Sequence, residues 1–112
     1  MRISEHERVS ILKAVHQFDS MANVFLFGSR INPQLQGGDI DLLIEYNVIA
    51  SRNKRQVRLE IQRLIGEQKI DIVITKNRMT DEDPFIQLIA KDVVRLWRHQ
   101  TILIIQMEQP IR

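Results

Sequence analysis

NVFLFGSRINPQLQGGDIDLLIE, residues 23–45, holds two apolar runs separated by a polar, glycine-bearing break. The first run, NVFLF at 23–27, is too short for a helix and rich in Phe and Val, so it reads as a buried strand. It stops at Gly28-Ser29. Residues 30–38 contain Pro33, Gly37 and Gly38, which allow at most one helical turn and then a loop. DIDLLIE at 39–45 opens with a period of two. In a strand Ile40, Leu42 and Ile44 share one face, and Asp39, Asp41, Leu43 and Glu45 share the other.

The flanking sequence alternates between helical and strand patterns. Residues 4–18 predict a helix: Ser4 with Glu7 forms a capping box, and Ile11, Leu12, Val15 and Phe18 lie on one side. Residues 51–68 predict a second helix with Ser51 as a cap and Val57, Ile61, Leu64 and Ile65 as its apolar stripe. KIDIVIT at 69–75 predicts a third strand, with Ile70, Ile72 and Ile74 on one face and Asp71 on the other. A last helix is expected to start near Asp83 and Pro84 and to run to about residue 97. Its apolar side would be Phe85 or Ile86, Ile89, Val93, Leu96 and Trp97. TILII at 101–105 is a candidate fourth strand, and residues 107–112 read as a loose end. The order is α-β-β-α-β-α. The fold class is α/β (α+β): a small mixed sheet with helices packed mainly on one face.

The chain has 112 residues, which suits one domain. Residues 4–98 are its expected core and 99–112 its tail. With no cysteine, disulfides, thiolate zinc sites and cysteine nucleophiles are excluded. His6, His16 and His99 are scattered and form no ligand pair. No run approaches the roughly 20 apolar residues of a membrane span. The polar start MRISEHERVS lacks a signal-peptide core, so the cytoplasm is the expected location. A net charge of +2 permits a phosphate-bearing ligand without demanding one. Arg52, Lys54, Arg55, Arg58 and Arg63 read as a solvated helix face rather than a nucleic-acid stripe. Aromatics make up only 5% of the chain, too few for a base-stacking sheet that binds nucleic acid. No GxxxxGK[ST] or GxGxxG motif is present.

Three aspartates in strand-like segments need an explanation, because aspartate is depleted in strands and a buried, unpartnered carboxylate is costly. Asp39 and Asp41 are one residue apart, which in a strand puts their Cα atoms about 6.5–7 Å apart on one face. Asp71 holds the matching place in the next strand. Hard carboxylate oxygens of this kind select Mg²⁺ or Mn²⁺. Gly28-Ser29, at the end of a strand and the start of a turn, can offer backbone N–H groups and a hydroxyl to phosphate oxygens. Arg30 can add positive charge there. Glu45 reads as a surface residue at the end of its strand.

The combination FGSR…GGDIDLLIE…KIDIVIT resembles the minimal nucleotidyltransferases of the DNA polymerase β-like superfamily. The resemblance runs from about residue 4 to 98. It implies that Gly28 and Ser29 bind the triphosphate, with Arg30 as the adjoining nucleotide-binding charge read above, and that Asp39, Asp41 and Asp71 are the catalytic, metal-binding carboxylates. Asp71 would ligate metal or help deprotonate the acceptor. It also implies ATP as substrate, with Mg²⁺ or Mn²⁺. Many such single-domain proteins are antitoxins that transfer AMP to a tyrosine of a HEPN ribonuclease toxin, which makes a hetero-oligomer with such a toxin the expected partnership. The chain departs from that branch after Gly28-Ser29. It reads Arg30-Ile31-Asn32-Pro33 where related antitoxins have Arg-x-Arg-Gly, and its spacer to Asp39 is nine residues rather than ten. Two other readings stand beside this one. One is a nucleotidyltransferase acting on a small molecule or an RNA end. The other is an inactive subunit that neutralises a partner by occlusion.

Overall fold

The structure, a computed structural model, describes residues 3–31, 39–49 and 51–97. Helix α1 spans Glu5–Phe18 and strand β1 spans Asn23–Phe27. A 3-10 turn follows at Gly28–Ile31, then strand β2 at Ile40–Glu45. A second 3-10 turn, Ser51–Asn53, leads into helix α2, Lys54–Ile65. Strand β3 is Ile70–Thr75, helix α3 is Pro84–Ile89, and strand β4 is Val94–Leu96.

The α1 capping box is formed as the sequence implies. Ser4 Oγ accepts the Glu7 N–H at 3.0 Å, and Glu7 Oε1 accepts the Ser4 N–H at 2.8 Å. Two helix boundaries differ from expectation. The α-helical residues of α2 begin at Lys54 with Asn53 in the N-cap position, so Ser51 is not the cap. The helix stops at Ile65 because Gly66 adopts φ +92°, a left-handed conformation that glycine takes without steric cost.

The four strands form one mixed sheet in the order β3-β2-β1-β4. β1 pairs antiparallel with β2 and with β4, and β2 pairs parallel with β3. A parallel pair needs a long crossover, and α2 supplies it. α1 and α2 lie together on one sheet face. Ile11, Leu12, Ala14 and Val15 of α1 and Val57 and Ile61 of α2 pack there against Val24, Leu26, Ile40, Leu42, Ile44, Ile70, Ile72 and Leu96. Each large side chain fully buried in this layer contributes about 1.5–3 kcal/mol. The expected alternation of Ile40, Leu42 and Ile44 is therefore the main structural wall of the sheet. Asp19, buried after α1, seats the loop behind β2: its Oδ2 accepts the N–H groups of Asn47, Val48 and Ile49 at 2.7, 2.8 and 3.0 Å.

The opposite face holds a smaller cluster, Phe25, Phe27 and Leu43, covered by Val73, Ile89 and Val93. Here the expected long last helix is corrected. α3 ends at Ile89, and Val94–Leu96 is a strand with Val24 opposite Leu96 and Leu26 opposite Val94. Val93, Leu96 and Trp97 fit a helical period, and Val94 and Leu96 fit a strand period. The open edge of β1 offers backbone hydrogen bonds that settle it, and β-branched valines suit a strand. Of the alternatives Phe85 and Ile86, Ile86 is the buried one. The candidate strand at 101–105 lies outside the described residues, as does His99.

Candidate active site

The second sheet face is built in rows set by strand register. Asp71, Asp41 and Phe27 form the row at one end, since Asp41 pairs with both Asp71 and Phe27. Val73, Leu43 and Phe25 form the apolar middle, flanked on β4 by Arg95. Thr75, Glu45 and Asn23 form the far end. The parallel pairing of β2 with β3 thus brings the two predicted carboxylates side by side, although 30 residues separate them in sequence (71 − 41).

Asp41 is the electrostatic centre of the first row. Partial burial, the neighbouring charges of Asp71 and Asp39 and a hydrogen bond with Asp71 raise its pKa from 3.8 to about 6, against a smaller opposing pull from Lys69. Two carboxyl groups this close disfavour each other's charged form, so Asp41 takes up a proton more readily than an isolated aspartate. Asp39, just before β2, forms an ion pair with Lys69 at 3.5 Å, both groups being substantially exposed. Among the described residues no three carboxylate or imidazole groups stand close enough to share one ion. The structure therefore joins Asp41 to Asp71 directly, while Asp39 is engaged with Lys69.

Gly28 borders this pair. Its φ is +76°, and a Cβ built there would sit 2.3 Å from Asp41 Oδ2. The glycine is required twice over, by its backbone conformation and by the carboxylate against it. It opens the 3-10 turn that contains Ser29 and Arg30. Arg30 does not reach toward the carboxylates as a free cation. Its guanidinium donates to Gln68 Oε1 at 3.1 Å and lies 3.9 Å from Glu7 Oε2, with only 14% of the side chain exposed. Gln68 in turn donates to Glu7 Oε2 at 3.1 Å. The arginine predicted to lie near phosphates is thus also a strut that ties the turn to α1 and to the approach to β3.

The far row is a separate polar network. Glu45 accepts the backbone N–H of Arg78 at 2.8 Å, its guanidinium at 3.0 Å, and Asn23 Nδ2 at 3.2 Å. Burial pushes the Glu45 carboxyl up, and these bonds and the Arg78 charge together bring it below its ordinary value. Glu45 is consequently a locked structural residue rather than a free strand end. The pleat places it four residues along β2 from Asp41, so the two do not share a site. His6 and His16 contact the carbonyls of Leu64 and Ala22, in keeping with their reading as ordinary helix-face residues.

Residues 9–104 match the family described as nucleotidyltransferase domain. The chain belongs to that family. No curated protein matches the chain. Membership makes nucleotidyl transfer the general chemistry of this fold, and nucleotidyltransferase domains generally use a nucleoside triphosphate and a divalent metal. No described helix is long and apolar enough to cross a membrane.

Lys69 and the aromatic border of the site carry no motif in the sequence. A signal for Lys69 was available: Lys69-Ile70-Asp71 aligns with Asp39-Ile40-Asp41 once the strands are set parallel. The aromatic border, Phe27 with Phe85 against it at 6.4 Å between ring centres, depends on how α3 crosses the sheet. No local pattern encodes that crossing.

Proposed function

We propose that the chain transfers AMP from ATP to a hydroxyl acceptor, a tyrosine on a partner HEPN ribonuclease toxin, and so acts as an antitoxin. The observation that carries the catalytic part is the Asp41–Asp71 pair beside Gly28, with the Asp41 proton affinity raised by burial and by its acidic neighbours. The donor set fits a hard cation: carboxylates crowd one another there, and Mg²⁺ or Mn²⁺ between them would relieve their repulsion. Asp41 and Asp71 would hold the ion, and Asp39 would join after leaving Lys69. When bound, the metal supplies charge neutralisation at the phosphates. The backbone at Gly28 and Ser29 binds triphosphate oxygens, and the missing Cβ of Gly28 keeps that approach open. The acceptor oxygen attacks the α-phosphorus, the bond to the bridging oxygen of pyrophosphate breaks, and Asp71 receives the acceptor proton. The toxin partner and the tyrosine rest on the resemblance to minimal nucleotidyltransferases.

A second reading is an inactive subunit that occludes its partner. The engagement of Arg30 by Gln68 and Glu7, and of Asp39 by Lys69, favours it, since both pairs must open for a three-carboxylate, arginine-assisted site. One experiment separates the readings. Radiolabelled ATP with Mg²⁺ is incubated with the protein and either a purified toxin or RNA, using wild type and Asp39→Asn/Asp41→Asn. Label on a toxin tyrosine that the double variant abolishes supports the proposal. Label on RNA alone sinks the antitoxin role, and neutralisation that survives the double variant establishes occlusion.

A further inference from the structure

Phe85 is a large aromatic residue left 50% exposed, although burial of its ring would be favourable. Its place is nonetheless well fixed. Asp83 Oδ1 accepts its backbone N–H at 2.8 Å, and Pro84 before it opens α3. Its ring meets that of Phe27 edge to face, 6.4 Å between centres and 77° between planes. The next residue, Ile86, is buried, and Ile89 packs against the Phe25, Phe27 and Leu43 cluster of the sheet, so α3 is held down by residues other than Phe85. Phe27 is the register partner of Asp41. Asp41, Phe27 and Phe85 therefore lead from the carboxylate pair to an open aromatic surface two side chains away. The other exposed aromatic, Trp97, follows Leu96, which pairs with Val24, and so belongs to the far end of the sheet under the Arg95 guanidinium.

We propose that Phe85 is the stacking platform for the base of the bound nucleoside triphosphate, and that purine triphosphates are the preferred substrates. The inference rests on the nucleotidyl-transfer reading above. A phenyl ring has no hydrogen-bonding group, so it selects bases by stacking area rather than by their edges. Adenine and guanine present more area than uracil or cytosine. Leu88, one turn further along α3 and 65% exposed, is apolar without a π face and serves as an internal control.

The test is calorimetric titration of ATP, UTP and inorganic tripolyphosphate, each with Mg²⁺, into wild type, Phe85→Leu and Leu88→Ala. Leucine keeps Phe27 covered, and a matched melting temperature confirms that the fold is retained. Phe85→Leu is expected to weaken ATP binding roughly five- to hundredfold, to weaken UTP less, and to leave tripolyphosphate unchanged. Leu88→Ala is expected to leave all three unchanged. Undiminished ATP affinity in Phe85→Leu, or an equal loss for tripolyphosphate, overturns the proposal. So does a wild type that binds ATP no better than tripolyphosphate, an outcome that leaves the triphosphate site standing. A wild type that binds neither ligand removes the nucleotidyl-transfer reading, and the stacking role with it.

Discussion

Replacing Asp41 by Asn is expected to stabilise the folded chain at neutral pH while removing a carboxylate from the candidate active site. Burial and the charges of Asp71 and Asp39 raise the Asp41 pKa from 3.8 to about 6. At about 1.4 kcal/mol for each tenfold change in proton affinity, that rise corresponds to about 3 kcal/mol. Asp41 keeps partial contact with solvent, and screening reduces the figure to about 1–1.5 kcal/mol. The sign follows from linkage. A carboxyl whose folded pKa is raised contributes stability that is fully present below 3.8 and is lost as pH rises through about 6. Asparagine imitates the protonated form at every pH. The variant's gain is therefore full above about pH 7, shrinks through pH 6, and vanishes below 3.8. For a domain of this size the gain at pH 7.5 is a melting temperature about 4–8 °C higher. Differential scanning calorimetry in a metal-chelating buffer, from pH 7.5 down to the acid limit of folding, measures it. A melting temperature equal to or below wild type at pH 7.5, or a gain that does not shrink on acidification, would refute the electrostatic account of the site.

Two further predictions probe the neighbours of Asp41. Gly28→Ala places a Cβ 2.3 Å from Asp41 Oδ2 at a φ of +76° and should cost about 1–3 kcal/mol by urea unfolding. In an Asp41→Ala background the clash is gone, so only the backbone part should remain; an unchanged cost would show that the carboxylate contact is unimportant. Lys69→Gln removes the ammonium group that pulls the Asp41 pKa down, so the Asp41 midpoint should move above its present value near 6. An NMR titration of the side-chain carboxyl carbons reads this, and a midpoint that stays or falls contradicts the placement of Lys69.

The elements legible in the sequence are those whose signal is local. Ser4 and Glu7 close a capping box within one turn of helix, so α1 could be read from four residues. Ile40, Leu42 and Ile44 alternate because one face of β2 lies against α1 and α2, and the alternation survives in the string of letters. Asp41 and Asp71 stood out because carboxylates within apolar strands are costly without a reason. The end of the chain was less legible. Val93, Leu96 and Trp97 satisfy a helical stripe as well as Val94 and Leu96 satisfy a short strand, and what selects the strand is the unpaired edge of β1, some 70 residues earlier (94 − 24). Arg30 shows the same limit in a charged group. Its position after Gly28-Ser29 suggested phosphate, while Glu7 and Gln68, distant in sequence, engage its guanidinium in the fold.

The sequence by itself determined the strand and helix types of most of the chain, the glycine turn after β1, and the presence of acidic residues at matching places in two apolar strands. These follow from side-chain period, turn chemistry and the cost of burying charge. Tertiary structure alone decided the rest. Parallel pairing of β2 with β3 set Asp41 against Asp71 rather than leaving them on separate edges, and burial together with that proximity raises the proton affinity of Asp41. The crossing of α3 over the sheet placed Phe85 against Phe27 and left its ring open near the carboxylates. Register and crossing are relations between segments distant along the chain. They are fixed by the shared free energy of packing and backbone pairing, which no single stretch of residues contains.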